Sequence, residues 1–135
     1  MRRNYLRVLH NIEGIKLSYV CDSNPEALKD VPSNVKATLD YEEIAKDENI
    51  KAAFLATPAS TRYKIAKLFL EQGKHLLVEK PLTMNVREAF ELAKIAKENK
   101  TILMVGHIHC FHPAIQYLRK LIKNKKLGKV FYKFI

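Results

Sequence analysis

The chain has 135 residues, 47% hydrophobic and 28% charged, which suits one domain with a real core and excludes a disordered chain. The formal net charge is +10, no apolar run approaches the ~20 residues of a membrane span, and no long apolar block follows Met1-Arg2-Arg3 as a signal peptide requires. Cys21 and Cys110 are too few for a disulfide framework and read as buried thiols at strand ends, so a reducing cytoplasm is the default setting.

In chain order, Asn4 to Asn11 reads as a helix with Tyr5, Leu6, Leu9 and Ile12 on one face, ended by Gly14 as a left-handed cap. Ile15 to Cys21 alternates as a strand and stops at Asp22. Asn24 caps a short helix that has Pro25 at its first position. Val35 to Thr38 is a short strand. Asp40 caps a helix through Ala45, with Glu43 placed as a capping box would have it. Ala52 to Ala56 is uniformly apolar, as in a strand buried on both faces, and ends at Thr57-Pro58. A helix from Ser60 to Gln72 turns Ile65, Ala66, Leu68 and Phe69 inward and stops at Gly73. The strand His75 to Val78 follows. Asn85 caps a helix to Asn99, with Phe90, Ala93, Ile95 and Ala96 as its buried stripe. Thr101 to Val105 is a strand closed by Gly106. His112-Pro113 opens a helix to Lys123, Lys126-Leu127-Gly128 turns, and Lys129 to Ile135 begins one more strand.

Short apolar strands alternating with amphipathic helices predict an α/β fold with a parallel sheet covered on both faces. Ligands of such sheets bind beyond the carboxyl ends of the strands. Four strand ends carry polar residues there: Asp22, Thr57-Pro58, Glu79-Lys80-Pro81 and Gly106-His107.

The sharpest of these is Glu79-Lys80-Pro81. A buried strand that stops in a carboxylate, an amine and a proline ends at a site, because proline bars continuation of the ladder. An X-Pro bond is also where a cis peptide is cheap, and a cis Lys80–Pro81 bond would aim the Lys80 amine across the sheet end. The bland reading is a surface lysine at a turn. Asp22 closes what would be the second strand of a dinucleotide-binding fold. There a carboxylate accepts hydrogen bonds from the adenosine ribose hydroxyls and repels a 2′-phosphate, favouring NAD over NADP; otherwise it is a loop aspartate capping the next turn. Thr57-Pro58 precedes free backbone N–H groups at a helix N-terminus, fit for cofactor or anion, or for plain capping. Arg62 lies on the first turn near the same mouth. His107, His109, Cys110 and His112 invite a metal reading, but alternation along a strand end sends Cys110 away from the histidines, and no metal is assigned. His107 is taken instead as a proton-handling or substrate-facing residue, with a core or capping histidine as its alternative. No acidic residue follows Glu98 while lysines continue, yet the tail lacks the aromatic interleaving that stacks bases, so a solvated helix face is preferred to nucleic-acid binding.

Taken together, Ala56-Thr57-Pro58-Ala59-Ser60-Thr61, Gly73-Lys74-His75-Leu76-Leu77-Val78-Glu79-Lys80-Pro81-Leu82-Thr83, Met104-Val105-Gly106-His107 with Phe111-His112-Pro113, and Leu127-Gly128-Lys129-Val130 resemble the glucose–fructose oxidoreductase / inositol dehydrogenase family. The resemblance covers nearly the whole chain. It implies NAD(P)-dependent hydride transfer on sugars, nucleotide-sugars or polyols, with a Rossmann domain followed by a larger α+β domain. It implies that Lys80 contacts the substrate hydroxyl, that Glu79 and Thr57-Pro58 line the cofactor, and that Asp22 binds its ribose.

This sequence departs from the family pattern in three ways. It begins inside the helix that follows the family's first strand and glycine-rich turn, with Arg2 where that turn has a glycine. Arg62 stands where the family often has histidine. The chain stops on what the family pattern makes the first strand of the substrate domain. The expectation is therefore residues 1–128 as a truncated dinucleotide-binding domain and 129–135 as the first strand of a missing substrate domain. Weak NAD binding or none, and no turnover alone, go with it. The first strand is central in this fold, so its loss leaves two parallel edges unpaired. Lys129 to Ile135, from the same chain or a swapped partner, or direct closure of the edges, would fill the gap. A homo-oligomer or a second polypeptide supplying the missing parts is expected. The rival reading is a non-enzymatic binding or oligomerisation module on the same sheet.

Overall fold

The computed structural model describes residues 2–131. The chain divides into two units, Met1–Val105 and Gly106–Ile135.

The first unit alternates helix and strand as the patterning demands: α1 (Arg2–His10), β1 (Tyr19–Cys21), β2 (Lys36–Thr38), α2 (Tyr41–Lys46), β3 (Ala52–Leu55), α3 (Ala59–Glu71), β4 (His75–Val78), α4 (Val86–Glu98) and β5 (Leu103–Val105). Between β1 and β2, a 3-10 helix (Pro25–Leu28) is capped by Asn24, whose side chain accepts from the Glu26 N–H at 3.0 Å. All strand pairs are parallel. β1 pairs with β2, Val20 opposite Ala37; β3 pairs with β4, Phe54 opposite Leu77; and β4 pairs with β5, Leu77 opposite Met104. The fold class is thus the α/β, Rossmann-like one expected.

The strands form two sheets, β1-β2 and β3-β4-β5. No strand joins β1 to β3 among the described residues, so neither expected solution to the gap is realised there. Lys129, Val130 and Phe131 are not in a strand, and the remainder of the strand expected over 129–135 lies outside the described residues. β1 is also shorter than Ile15 to Cys21. With a ladder on one edge only, nothing extends the pairing back to Ile15.

The core lies where α2, α3 and α4 pack on β3-β4-β5. Phe69, Leu70, Leu92 and Val78 are its largest fully buried side chains. Ile65, Ala66 and Phe69 face inward as the α3 pattern predicts. The α4 stripe is corrected: Phe90 is 73% exposed and Ala93 is exposed, while Leu92 and Ala96 are buried. The apolar face of α4 is rotated by part of a turn, because Leu92 and Ala96, one turn apart, seat the helix against α3 and the sheet.

The Asp40 cap is also altered from expectation. Asp40 accepts from the Glu42 N–H at 2.8 Å, but Glu43 does not return to the cap; it accepts from Thr38 Oγ1 at 2.9 Å and pairs with Lys36 at the end of β2. A cationic partner across the strand outcompetes a neutral backbone donor.

The second unit holds a 3-10 helix (Ile108–Phe111) and α5 (Pro113–Lys123), with His112 Nδ1 accepting from the Ala114 N–H at 3.3 Å as an N-cap. Lys125 and Gly128 turn the chain at positive φ. Cys110 is exposed on the 3-10 helix rather than buried at a strand end, and Cys21 is half-buried in β1; both are free thiols. Among the described residues no helix is long and apolar enough to cross a membrane.

Candidate functional site

β3 and β4 are neighbours in register, so their carboxyl ends emerge side by side, and the Glu79 N–H continues the ladder onto Leu55 C=O at 2.9 Å. Thr57-Pro58 leaves the first strand and Glu79-Lys80-Pro81 the second. The Lys80–Pro81 peptide bond is cis, as the sequence suggested.

What joins the two turns is Arg62. It is 5% exposed, on the first turns of α3, in step with Ile65, Ala66 and Phe69 on the buried face. Its Nε donates to the Thr57 carbonyl at 3.1 Å and its Nη1 to the Glu79 carbonyl at 2.7 Å. Further bonds run from Nη1 to the Pro81 carbonyl and from Nη2 to Thr57. One guanidinium, with its donors in a fixed fork, therefore satisfies backbone acceptors of both turns. Sequence reasoning placed Arg62 near the mouth but missed this role. The signal was legible: an arginine three, four and seven residues before apolar positions lies on the apolar face and must find acceptors there.

The Glu79 carboxylate is half-buried and held by two donors, the Lys80 N–H at 3.1 Å and the Tyr5 hydroxyl from α1. Donating to that carboxylate, with some burial, raises the Tyr5 phenol above its ordinary pKa. The Tyr5 ring lies on Phe54, ring centroids 4.4 Å apart, so α1 is anchored at the end of β3. This contact too was missed; Tyr5 had been read only as one apolar-face residue. Lys80 projects an exposed side chain from the turn. Thr57 contributes a buried hydroxyl, Oγ1, with no hydrogen-bond partner, a polar atom in want of a ligand or water.

Asp22 stands at the end of β1, its N–H on the Thr38 carbonyl at 3.3 Å and its Oδ1 accepting from the Asn24 N–H at 2.9 Å. The capping role weighed for it is thus present. Pro58 and Pro81 are exposed. The Pro58 carbonyl accepts from the Thr61 N–H at 3.1 Å and from Thr61 Oγ1 at 3.0 Å, so the start of α3 is partly self-capped. His107 belongs to the second unit, exposed, just before the 3-10 helix and making no side-chain capping bond. Among the described residues no three His, Cys, Asp or Glu side chains gather as metal ligands.

This geometry is that of a dinucleotide-binding α/β domain, and the comparisons agree. Residues 1–107 match the oxidoreductase family with an NAD-binding Rossmann fold. The chain belongs to that family, the Gfo/Idh/MocA oxidoreductases. It is 35% identical over 105 residues to UDP-N-acetylglucosamine 3-dehydrogenase of Acidithiobacillus ferrooxidans, covering 78% of this chain and 34% of that protein. It is 34% identical over 100 residues to trans-1,2-dihydrobenzene-1,2-diol dehydrogenase of Xenopus tropicalis, covering 74% of this chain and 30% of that protein. In structure it resembles myo-inositol 2-dehydrogenase of Lactobacillus plantarum, with a TM-score of 0.85 and 25% identity, over 96% of this chain and 40% of that one. The chain thus spans about a third of the length of the curated relatives it matches.

Proposed function

We propose that this chain is the cofactor-facing part of an oxidoreductase that moves a hydride between a secondary alcohol of a sugar or polyol and NAD. The observation that carries the reading is the Arg62 clamp. It holds Thr57 and Glu79-Lys80-Pro81 at adjoining strand ends, where a ligand of a parallel sheet binds. NAD, when bound, supplies the ring that exchanges the hydride.

In this reading Lys80 reaches the reacting hydroxyl and holds or yields a proton at Nζ. The buried Thr57 hydroxyl, Pro58, Glu79 and Pro81 line the nicotinamide side, and the unpartnered Oγ1 suits a polar ligand atom. Asp22 takes the ribose hydroxyls with its carboxylate, favouring NAD over NADP. His107 is assigned a second proton-handling role. The pyrophosphate is the part these residues do not fit: the four glycines, at 14, 73, 106 and 128, are nowhere spaced as a phosphate-binding turn.

The 135 residues alone therefore bind NAD weakly and do not turn over, as expected of a truncated domain whose remaining parts come from other polypeptide. The names of the two dehydrogenase relatives, a nucleotide-sugar and a cyclic diol enzyme, support the substrate class. Free cysteines support a cytoplasmic setting.

Saturation-transfer NMR and calorimetry with NADH and NADPH test this. The expected result is NADH binding with Kd weaker than about 100 μM, or about −5.5 kcal/mol. It should exceed NADPH binding and fall on Asp22→Ala. No NADH signal at millimolar concentration, or an equal preference for NADPH, would overturn the proposal in favour of a non-enzymatic module.

A further inference from the structure

Two parallel sheets in one unit each end in an unpaired edge. On β1, Lys36 N–H bonds Ser18 C=O at 2.9 Å and Asp22 N–H bonds Thr38 C=O at 3.3 Å, so Ser18, Val20 and Asp22 face β2. By alternation, Tyr19 and Cys21 turn their N–H and C=O groups to the opposite edge. On β3, His75 N–H bonds Lys51 C=O and Glu79 N–H bonds Leu55 C=O, each at 2.9 Å, so Ala52 and Phe54 turn theirs away from β4. No strand meets either edge among the described residues.

The layer above is incomplete as well. α1 is amphipathic, yet Val8 and Ile12 on it or just after it, and Ile15 beyond, are 49%, 42% and 49% exposed. The chain nonetheless superposes on an intact dehydrogenase with a TM-score of 0.85, and in a doubly wound sheet the places of β1 and β3 flank one central strand.

We propose that the slot between β1 and β3 is a strand acceptor. Its occupant is an extended apolar segment of about four to five residues, rich in valine and isoleucine, supplied by polypeptide outside the described residues and added parallel to both edges. Backbone pairing to Tyr19 and Cys21 on one side and to Ala52 and Phe54 on the other provides the affinity. The uncovered apolar side chains after α1 select a segment apolar on its faces. Strand addition here needs no cofactor, so it stands or falls apart from the dehydrogenase reading.

The test uses the full chain and a soluble peptide with a Val-Ile-Val-Ile-Val run behind a lysine pair. Amide exchange is followed by NMR. Saturating peptide should slow exchange at Tyr19, Cys21, Ala52 and Phe54 about ten-fold or more. The same peptide N-methylated at alternate amides of the run should not. Leu77, already within a ladder on both sides, reports whether the chain is folded. If the free chain proves unprotected even there, recovery with the unmethylated peptide alone supports the proposal, and no recovery overturns it. Lack of peptide-dependent protection at the four edge amides overturns it. So does protection already present in the dilute free chain, which means edges closed on each other. Protection that rises only with protein concentration also overturns it, and means a second copy in the slot.

Discussion

Burying a guanidinium is unfavourable unless its donors are matched, and at Arg62 they are matched by carbonyls of both turns. Removing it leaves those carbonyls without partners in an apolar setting. Arg62→Ala is expected to destabilise the first unit by about 2–4 kcal/mol in urea unfolding. Arg62→Lys should recover only part of that, since an ammonium cannot reproduce the fork.

A second residue-scale contact carries a pH signature. Tyr19 donates to Asp47 Oδ2 at 2.9 Å. The Asn49 N–H first, then the Tyr19 hydroxyl, hold the Asp47 carboxyl below its ordinary pKa, and the bond to Asp47 raises the Tyr19 phenol above its own. A lowered carboxyl stabilises the fold above its unfolded pKa, about 3.9, and loses that contribution as pH falls through the folded value. A raised phenol stabilises below about pH 10 and loses that contribution as pH climbs through its folded value. The gap in urea midpoint between the wild type and Tyr19→Phe is therefore expected to be widest near neutrality and to close at both extremes. A gap unchanged from about pH 3 to about pH 11 would contradict the assignment.

At the scale of elements, α4 separates what a sequence shows from what packing decides. Its existence, cap and length are legible, because Asn85, an amphipathic run and Asn99 bracket it, and Asn85 does accept from the Arg87 N–H at 2.8 Å. Its rotation is not. Two apolar lines, through Phe90 and Ala93 and through Leu92 and Ala96, compete in the sequence, and only the shape of the α3 surface chooses between them. Leu92→Ala should cost about 2–5 kcal/mol, whereas Phe90→Ser should stay within about 0.5 kcal/mol. Denaturant midpoints of the two variants measure this directly. The same distinction holds for the site. Glu79, Lys80 and the cis proline were readable as a strand that ends in chemistry, whereas the Tyr5–Glu79 bond joins α1 to β4 and has no local sequence signature.

Across the whole molecule, the two sheets differ in what supports them. β3-β4-β5 carries the main core, with Leu55, Leu76 and Val78 buried under three helices, while β1-β2 offers only Val20 as a buried strand residue. Amides within the β1-β2 ladder, such as Val20 and Thr38, should therefore exchange about ten-fold faster than Leu77 or faster still. Exchange measured by mass spectrometry on peptic fragments would show the contrast, and equal protection would argue that one cooperative sheet spans both. The alternation of elements made the α/β class readable from sequence. The division into two sheets was not readable in the same way, since strand neighbours are set by distant backbone rather than by local pattern.

Arg62 also makes reciprocity unavoidable. Because one side chain grips the exits of both β3 and β4, whatever steadies the threonine turn steadies the lysine turn by an equal free energy, and the converse holds. A molecule seated against Thr57 thus sharpens the aim of Lys80 without touching it.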